Sequence, residues 1–204
     1  MSLTLLLDMD DTLLVNDMDR FLPVYLQKLA THLQDSVSPD QMILSLIAGT
    51  RAMVHKQMPG KTLESTFDEI FYAGIKGTKE QFAGQLNDFY ARVYPDLKSV
   101  TAPMPGAVNF VEWAFAQGYT VAIATNPLFP RTAIEQRLEW AGLSLSKYPF
   151  ALVTSFESLH YAKPNPAYYA EILAQLAWPE QPVAMVGNSL TDDIQPARAI
   201  GLSA

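Results

Sequence analysis

The chain contains no cysteine, which removes disulfides, thiolate nucleophiles and cysteine metal sites. Positive charge is scarce: Lys and Arg number 14 against 21 Asp and Glu, a formal net charge of -7. A broad nucleic-acid surface needs clustered Lys and Arg, so no nucleic-acid partner is expected. A small basic pocket inside an acidic shell remains compatible with this balance. Long hydrophobic runs are missing too. No stretch reaches the roughly 18 consecutive apolar residues of a membrane span, and the N-terminal apolar run has no basic flank and breaks at Asp8. The expectation is no membrane association and a soluble, cytoplasmic protein, as a monomer or homodimer. The three histidines, His32, His55 and His160, are scattered without metal-ligand spacing.

What the chain does have is apolar content. At 204 residues and 49% hydrophobic, it can build one sizeable core, or a core with a smaller attached lobe. Four short apolar runs read as buried strands: residues 3–8, 119–125 (YTVAIAT), 150–154 (FALVT) and 182–186 (PVAMV). Helical spacing separates them. Residues 105–117 and 131–141 stop at Gly118 and Gly142, residues 167–177 open after Asn165-Pro166, and residues 192–200 end at Gly201. Strand and helix in alternation predict a doubly wound, parallel-sheet α/β fold, Rossmann-like in type.

Residues 16–100 break that rhythm and read as helical, with a helix over 20–34 and capping-box starts at Ser38-Pro39-Asp40-Gln41 and Thr78-Lys79-Glu80-Gln81. They predict an α-helical cap inserted after the first strand. Residues 1–15 and 101–204 then form the α/β core, with "TAPMPGA" (101–107) as the return linker.

In open α/β sheets, ligands bind outside the carboxyl ends of the strands. After the first predicted strand comes "DMDDT", with Asp8, Asp10 and Asp11; after the second, Thr125 and Asn126; beyond the third, Lys163 in "AKPNP"; after the fourth, "GNSLTDD". Each has a bland reading. Thr-Asn-Pro makes an ordinary turn, a lone lysine is solvated, and Asp192 and Asp193 suit the first turn of a helix. Asp8 resists such a reading, because a carboxylate ending an apolar strand is costly without a partner. Together the four ends gather carboxylates, a hydroxyl, amides and one ammonium. A hard divalent cation such as magnesium makes clustered carboxylates tolerable, and aspartate can act as a covalent nucleophile toward phosphorus.

These residues resemble the haloacid dehalogenase-like hydrolase superfamily. "DMDDT" is similar to its D-x-D-x-T signature. Thr125 at a strand end, Lys163 before a proline and the acidic loop after Val186 resemble its other three motifs, in order, across residues 3–201. The helical insert between the first two motifs looks like the C1 cap class. The resemblance implies a Mg2+-dependent phosphatase acting on a small phosphorylated metabolite through an aspartyl-phosphate. It implies Asp8 as nucleophile, Asp10 as general acid and then base, Thr125 and Asn126 on the phosphoryl group, and Lys163 neutralising charge. Residues 8 and 10 of a continuing extended segment would project to one side. Asp11 has no role in the signature and reads as a turn or surface carboxylate.

The resemblance implies Asp8, the Asp10 backbone carbonyl, Asn188 and Asp193 around the metal. The chain departs from the family at Asn188, where many members carry an acid, which leaves Asn188, Asp192 and Asp193 as alternatives. The family usually continues with a strand after Gly201, so either the sheet is one strand short or the chain is truncated at Ala204. A 2-haloacid dehalogenase, a phosphomutase and a non-catalytic binding protein on this fold are the rival readings; the dehalogenase needs neither general acid nor magnesium, so Asp10 weighs against it. Other motifs fail. "PGKT" lacks the phosphate-loop glycine, His55 standing in its place, and in "GNSLT" Thr191 replaces the last glycine of G-x-S-x-G. Arg51, His55 and Lys56 are the most polar cluster of the insert and read first as a solvated helix face, with contact to an anionic substrate as the alternative.

Overall fold

The computed structural model describes residues 2–204. Four parallel strands form the central sheet: β1 (Thr4–Leu7), β4 (Thr120–Ile123), β5 (Leu152–Val153) and β6 (Val183–Val186), in the order β5-β4-β1-β6. The alternating side chains of β1 separate into two apolar clusters. Leu5 and Leu7 join Val121 and Ile123 under α5 (Ala107–Ala116) and α6 (Arg131–Trp140). Leu6 joins Ala122 and Met185 under α7 (Pro166–Gln175) and α8 (Gln195–Ala199). A strand buried on both faces reads as an uninterrupted apolar run, which is why "LLL" marked it. The fold is therefore an α/β, Rossmann-like parallel sheet with helices on both faces and a helical cap.

Register positions the site. Leu7 lies opposite both Ile123 and Val186, so three strands end at one level. The Asp8 amide still donates to the Val186 carbonyl at 2.9 Å. Then the chain turns sharply, and the Met9 carbonyl accepts the amides of Thr12, Leu13 and Leu14. The extended segment assumed for residues 8–10 does not continue; this turn, rather than strand alternation, places Asp10. Asp11 occupies the left-handed region at φ 54 and its carboxylate accepts the Asn16 amide at 2.9 Å. It is a turn residue.

Between β1 and β4 run four cap helices, α1 (Met18–Leu33), α2 (Pro39–Val54), α3 (Leu63–Gly74) and α4 (Lys79–Asp88). Ser38 caps α2 by accepting the Gln41 amide at 3.4 Å, while the Gln41 side chain reaches Gly74 instead of closing a reciprocal box. At α4 the Gln81 side chain accepts the Thr78 amide at 2.9 Å. Thr62, in the rejected "PGKT", caps α3 by accepting the Ser65 amide. A π turn (Phe89–Val93) and a 3-10 helix (Tyr94–Val100) bring the chain back. The cap returns through β2 (Leu14–Val15) and β3 (Ala102–Pro103), a two-residue antiparallel pair. One apolar cluster runs continuously from Leu5 and Leu7 of the sheet to Phe21, Tyr25 and Leu29 of α1 and Phe71 of α3.

The helix expected over 192–200 is two pieces, a π turn (Leu190–Ile194) and α8. Pro196 has no amide hydrogen for the Asp192 carbonyl, which accepts the Tyr169 hydroxyl at 2.8 Å instead. Beyond Gly201, Ser203 forms a single parallel bridge with Ala184 of β6. No helix among the described residues is long and apolar enough to cross a membrane.

Candidate active site

At the level where β1, β4 and β6 end, Asp8, Lys163 and Asp193 form a buried row. The Lys163 ammonium donates to Asp8 Oδ1 at 2.7 Å and to Asp193 Oδ1 at 2.6 Å. Asp193 Oδ2 accepts the Ser189 amide at 2.9 Å, so both its oxygens are engaged. Asp8, Lys163 and Asp193 are 6%, 2% and 1% exposed. Gly187 is needed beside them: a Cβ there would stand 2.3 Å from Asp193 Oδ2. Burial pushes the Asp8 carboxyl up to about 6, against the opposing pull of Lys163. Burial also works against the Lys163 ammonium, but Asp8, Tyr169 and Asp193 more than offset it and hold its pKa above the usual lysine value.

The row carries two carboxylates and one ammonium. Asp8 Oδ2 meets only the Thr12 hydroxyl, at a long 3.3 Å. Thr125, buried at the end of β4, has its backbone pinned: its carbonyl accepts the Tyr168 and Thr154 hydroxyls, each at 2.8 Å. Asn126 Oδ1 accepts the Lys163 amide at 3.3 Å, which ties the β4 loop to the lysine loop. Thus Asp8, Thr125, Asn126, Lys163 and Asp193 come together. Asn188 is exposed beside them, and Asp192 is half-buried with its amide on Ser189 Oγ.

Asp10 stands apart from Lys163. Its Oδ1 accepts Asn16 Nδ2 at 2.8 Å and is ion-paired with Arg137. Arg137 is fully buried on α6, its guanidinium 5.7 Å from the Phe21 ring centroid and 5.3 Å from that of Phe129. Asn16, Arg137, Thr154 and Tyr168 escaped the sequence reading. For Arg137 a signal existed: it sits three residues after Ile134 and four before Ala141, on the apolar stripe of its helix, where an unpartnered charge is costly.

Other polar groups of the sequence reading lie elsewhere. Arg51 and His55 are exposed. Lys56 donates to the carbonyls of Met58 and His160, bracing the cap end of α2 against the loop before Lys163. His160 pairs with Glu171 at 2.6 Å, and His32 bonds the Gln85 carbonyl at 3.0 Å. Among the described residues no group of three or more His, Asp or Glu side chains is arranged to hold a metal ion.

The family model for haloacid dehalogenase-like hydrolases matches residues 3–201. The chain belongs to that family. Three solved structures share the fold. A HAD phosphatase from Thermococcus onnurineus is 18% identical, with 99% of this chain and 84% of that one covered and a TM-score of 0.58. CbbY from Rhodobacter sphaeroides, solved with xylulose-(1,5)bisphosphate, is 16% identical over 99% and 84%, TM-score 0.55. An L-2-haloacid dehalogenase from Xanthobacter autotrophicus is 18% identical over 99% and 76%, TM-score 0.50. No curated protein matches. At such identities the likeness is one of fold alone.

Proposed function

We propose that this chain is a phosphatase that hydrolyses a small phosphate monoester through an aspartyl-phosphate on Asp8. The observation that carries the reading is the division of labour among the carboxylates. Asp8 faces a buried ammonium, and Asp10 is held apart from it by its own partners. An Asp8 oxygen attacks phosphorus as the bond to the leaving oxygen breaks, and Asp10 gives that oxygen its proton. Asp10 then takes a proton from water, whose oxygen attacks phosphorus and releases phosphate from Asp8. The Thr125 hydroxyl and the Asn126 amide hydrogens hold the phosphoryl oxygens, while Lys163 offsets their charge. A dehalogenase needs no proton donor, so the dedicated anchoring of Asp10 by Asn16 and Arg137 favours phosphoryl chemistry.

The donor set suits a hard divalent cation. Asp8 Oδ2 has one long contact, and the row holds an excess negative charge. Asp8, the Asp10 backbone carbonyl and the exposed Asn188 amide oxygen would hold magnesium, which prefers oxygen ligands and needs only one or two carboxylates. We assign Asp193, whose oxygens are taken by Lys163 and Ser189, to anchoring the lysine, and Asp192 is the remaining acid at hand. When bound, the ion supplies charge neutralisation at the nucleophile and phosphoryl oxygens. Phosphate release from a panel of phosphorylated metabolites, with magnesium and then with chelator, tests the reading. Release is expected with magnesium and not with chelator; release undiminished by chelator would remove the metal, and none from any phosphate ester would remove the phosphatase.

Arg137 enters this scheme as a positioning residue for Asp10. Arg137→Met keeps the stem between Phe21 and Phe129 and removes the charge. Removing one partner of a buried ion pair destabilises, but Asp10 is 26% exposed and keeps Asn16, so the variant is compared with the unaltered protein only after circular dichroism shows the same fold. The expected loss is about 10–100-fold in kcat on alkyl phosphates, a part of the ~10²–10⁴ that a general acid contributes. The loss on p-nitrophenyl phosphate should be smaller, because its leaving group departs unprotonated. Equal losses on both esters would mean that Arg137 acts on the fold and not through Asp10.

A further inference from the structure

A cavity of about 410 Å3 opens between the four cap helices and residues 128–130, 132 and 156–157 of the core. Its volume falls within the ~300–1,000 Å3 of small-molecule sites. Its walls are apolar and largely aromatic, with Leu22, Leu46, Phe67, Phe71, Leu128 and Phe129 among them. The charged side chains at its margin are Glu64, Asp68, Lys79 and Glu157. Lys79 is taken up by Glu64 at 2.5 Å and Asp68 at 2.8 Å. Glu157 Oε1 accepts the Arg131 amide at 2.8 Å, and its buried Oε2 has no partner. Three carboxylates against one engaged ammonium make the cavity hostile to a second anionic group.

The cavity lies one layer of side chains from the groups that hold Asp10. Met18 lines it, and Met18 Sδ lies 3.8 Å from Asn16 Nδ2, the amide that also holds Asp10. Phe129 lines it as well, and its ring packs on the guanidinium that pairs with Asp10. The two groups that hold the proton donor are thus backed by the cavity wall.

We infer that the leaving group is an uncharged, largely apolar alcohol or phenol that fills the cap cavity, so the substrate is a monophosphate without a second acidic group. The inference rests on the phosphatase reading.

An alkyl phosphate series from ethyl to octyl isolates apolar burial, since the leaving oxygen scarcely changes in acidity along it. With magnesium supplied, kcat/KM is expected to rise about 3-fold for each added methylene until the cavity is full. An ω-carboxyalkyl phosphate of matched length should fall at least ~100-fold below its alkyl counterpart. Ala83→Trp narrows the cavity from α4 and should bring the octyl-to-ethyl ratio toward one. Calorimetric titration with 1-octanol reads the cavity without catalysis: binding is expected in the unaltered protein and loss of binding in Ala83→Trp. A flat chain-length series, or a preference for the carboxylate ester, would overturn this inference and leave the phosphatase reading standing. Octanol binding with no turnover of any ester would overturn the phosphatase reading, and the leaving-group assignment with it.

Discussion

Asp8→Asn is expected to abolish phosphate release and, at neutral pH, to raise the melting temperature. The first half follows from chemistry. The amide keeps the shape of the carboxylate but not its nucleophilic charge, so turnover should fall by roughly 10⁴-fold or more. The second half follows from burial. The folded protein holds the Asp8 proton to about pH 6, where an ordinary aspartate lets go near 3.8. Between those values the folded state binds the proton that the unfolded state has lost. Stability from this group is therefore full below the unfolded value and declines as pH rises through the folded one. Asn never ionises, so it escapes that decline. The gain over the unaltered protein should be absent near pH 4 and complete above about pH 7, on the order of 1–3 kcal/mol. For a chain of this length that is a rise of roughly 2–4 °C per kcal/mol. Calorimetry in the presence of a chelator reads it with no metal at the carboxylate. A variant that melts at or below the unaltered protein at neutral pH would contradict the burial cost, and one that still turns over would unseat Asp8 as nucleophile.

The parts of this site that were legible in the sequence are those whose physics is local. A carboxylate at the end of a doubly buried strand stands out by itself, whereas Thr125 reads first as part of an ordinary turn and gains weight only beside the other strand ends. Glycines beyond helical periodicity located helix ends, and Gly118, Gly142 and Gly201 all take the left-handed conformation. What stayed hidden depends on contacts between distant residues. Nothing near Arg137 in the sequence names Asp10 as its partner, although helical spacing already put the arginine on the buried side. The partner of Asp193 was hidden in the same way. As an acid in a loop it reads equally well as a metal ligand or as an anchor for Lys163, and only the third dimension brings the ammonium to 2.6 Å. The pair β2–β3 is too short to carry a period, and Ala102 and Pro103 belong to a stretch whose prolines read as linker. The broken helix after Ser189 turned on one missing amide hydrogen at Pro196, a cue that was present and outweighed by the acidic first turn.

Lys163→Met carries the largest expected effect on stability. Methionine reproduces most of the apolar stem and leaves Asp8 and Asp193 facing one another with no cation between them. Both are almost wholly buried. Removing one partner of a buried ion pair costs about 3–5 kcal/mol, and here a single ammonium serves two carboxylates. The variant should lose at least that much at about pH 7.5. Its response to acid should then run opposite to the common pattern, in which protonation of paired carboxylates unfolds a protein. Two facing carboxylates can share a proton, and the folded state takes it up more readily than the unfolded chain. Lowering the pH from about 7.5 to about 5.5 should therefore narrow the gap to the unaltered protein. Adding Asp193→Asn should recover more than half of the lost stability, because the remaining carboxylate, Asp8, can go neutral by itself. Should Lys163→Met prove too unstable to measure near neutrality, the double variant and the acidic measurement still decide the matter. An equal deficit at both pH values, or no recovery in the double variant, would mean that Lys163 holds the site by its stem. The charge of the row, not its packing, is what Lys163 is expected to settle, and the phosphoryl group would meet that same charge.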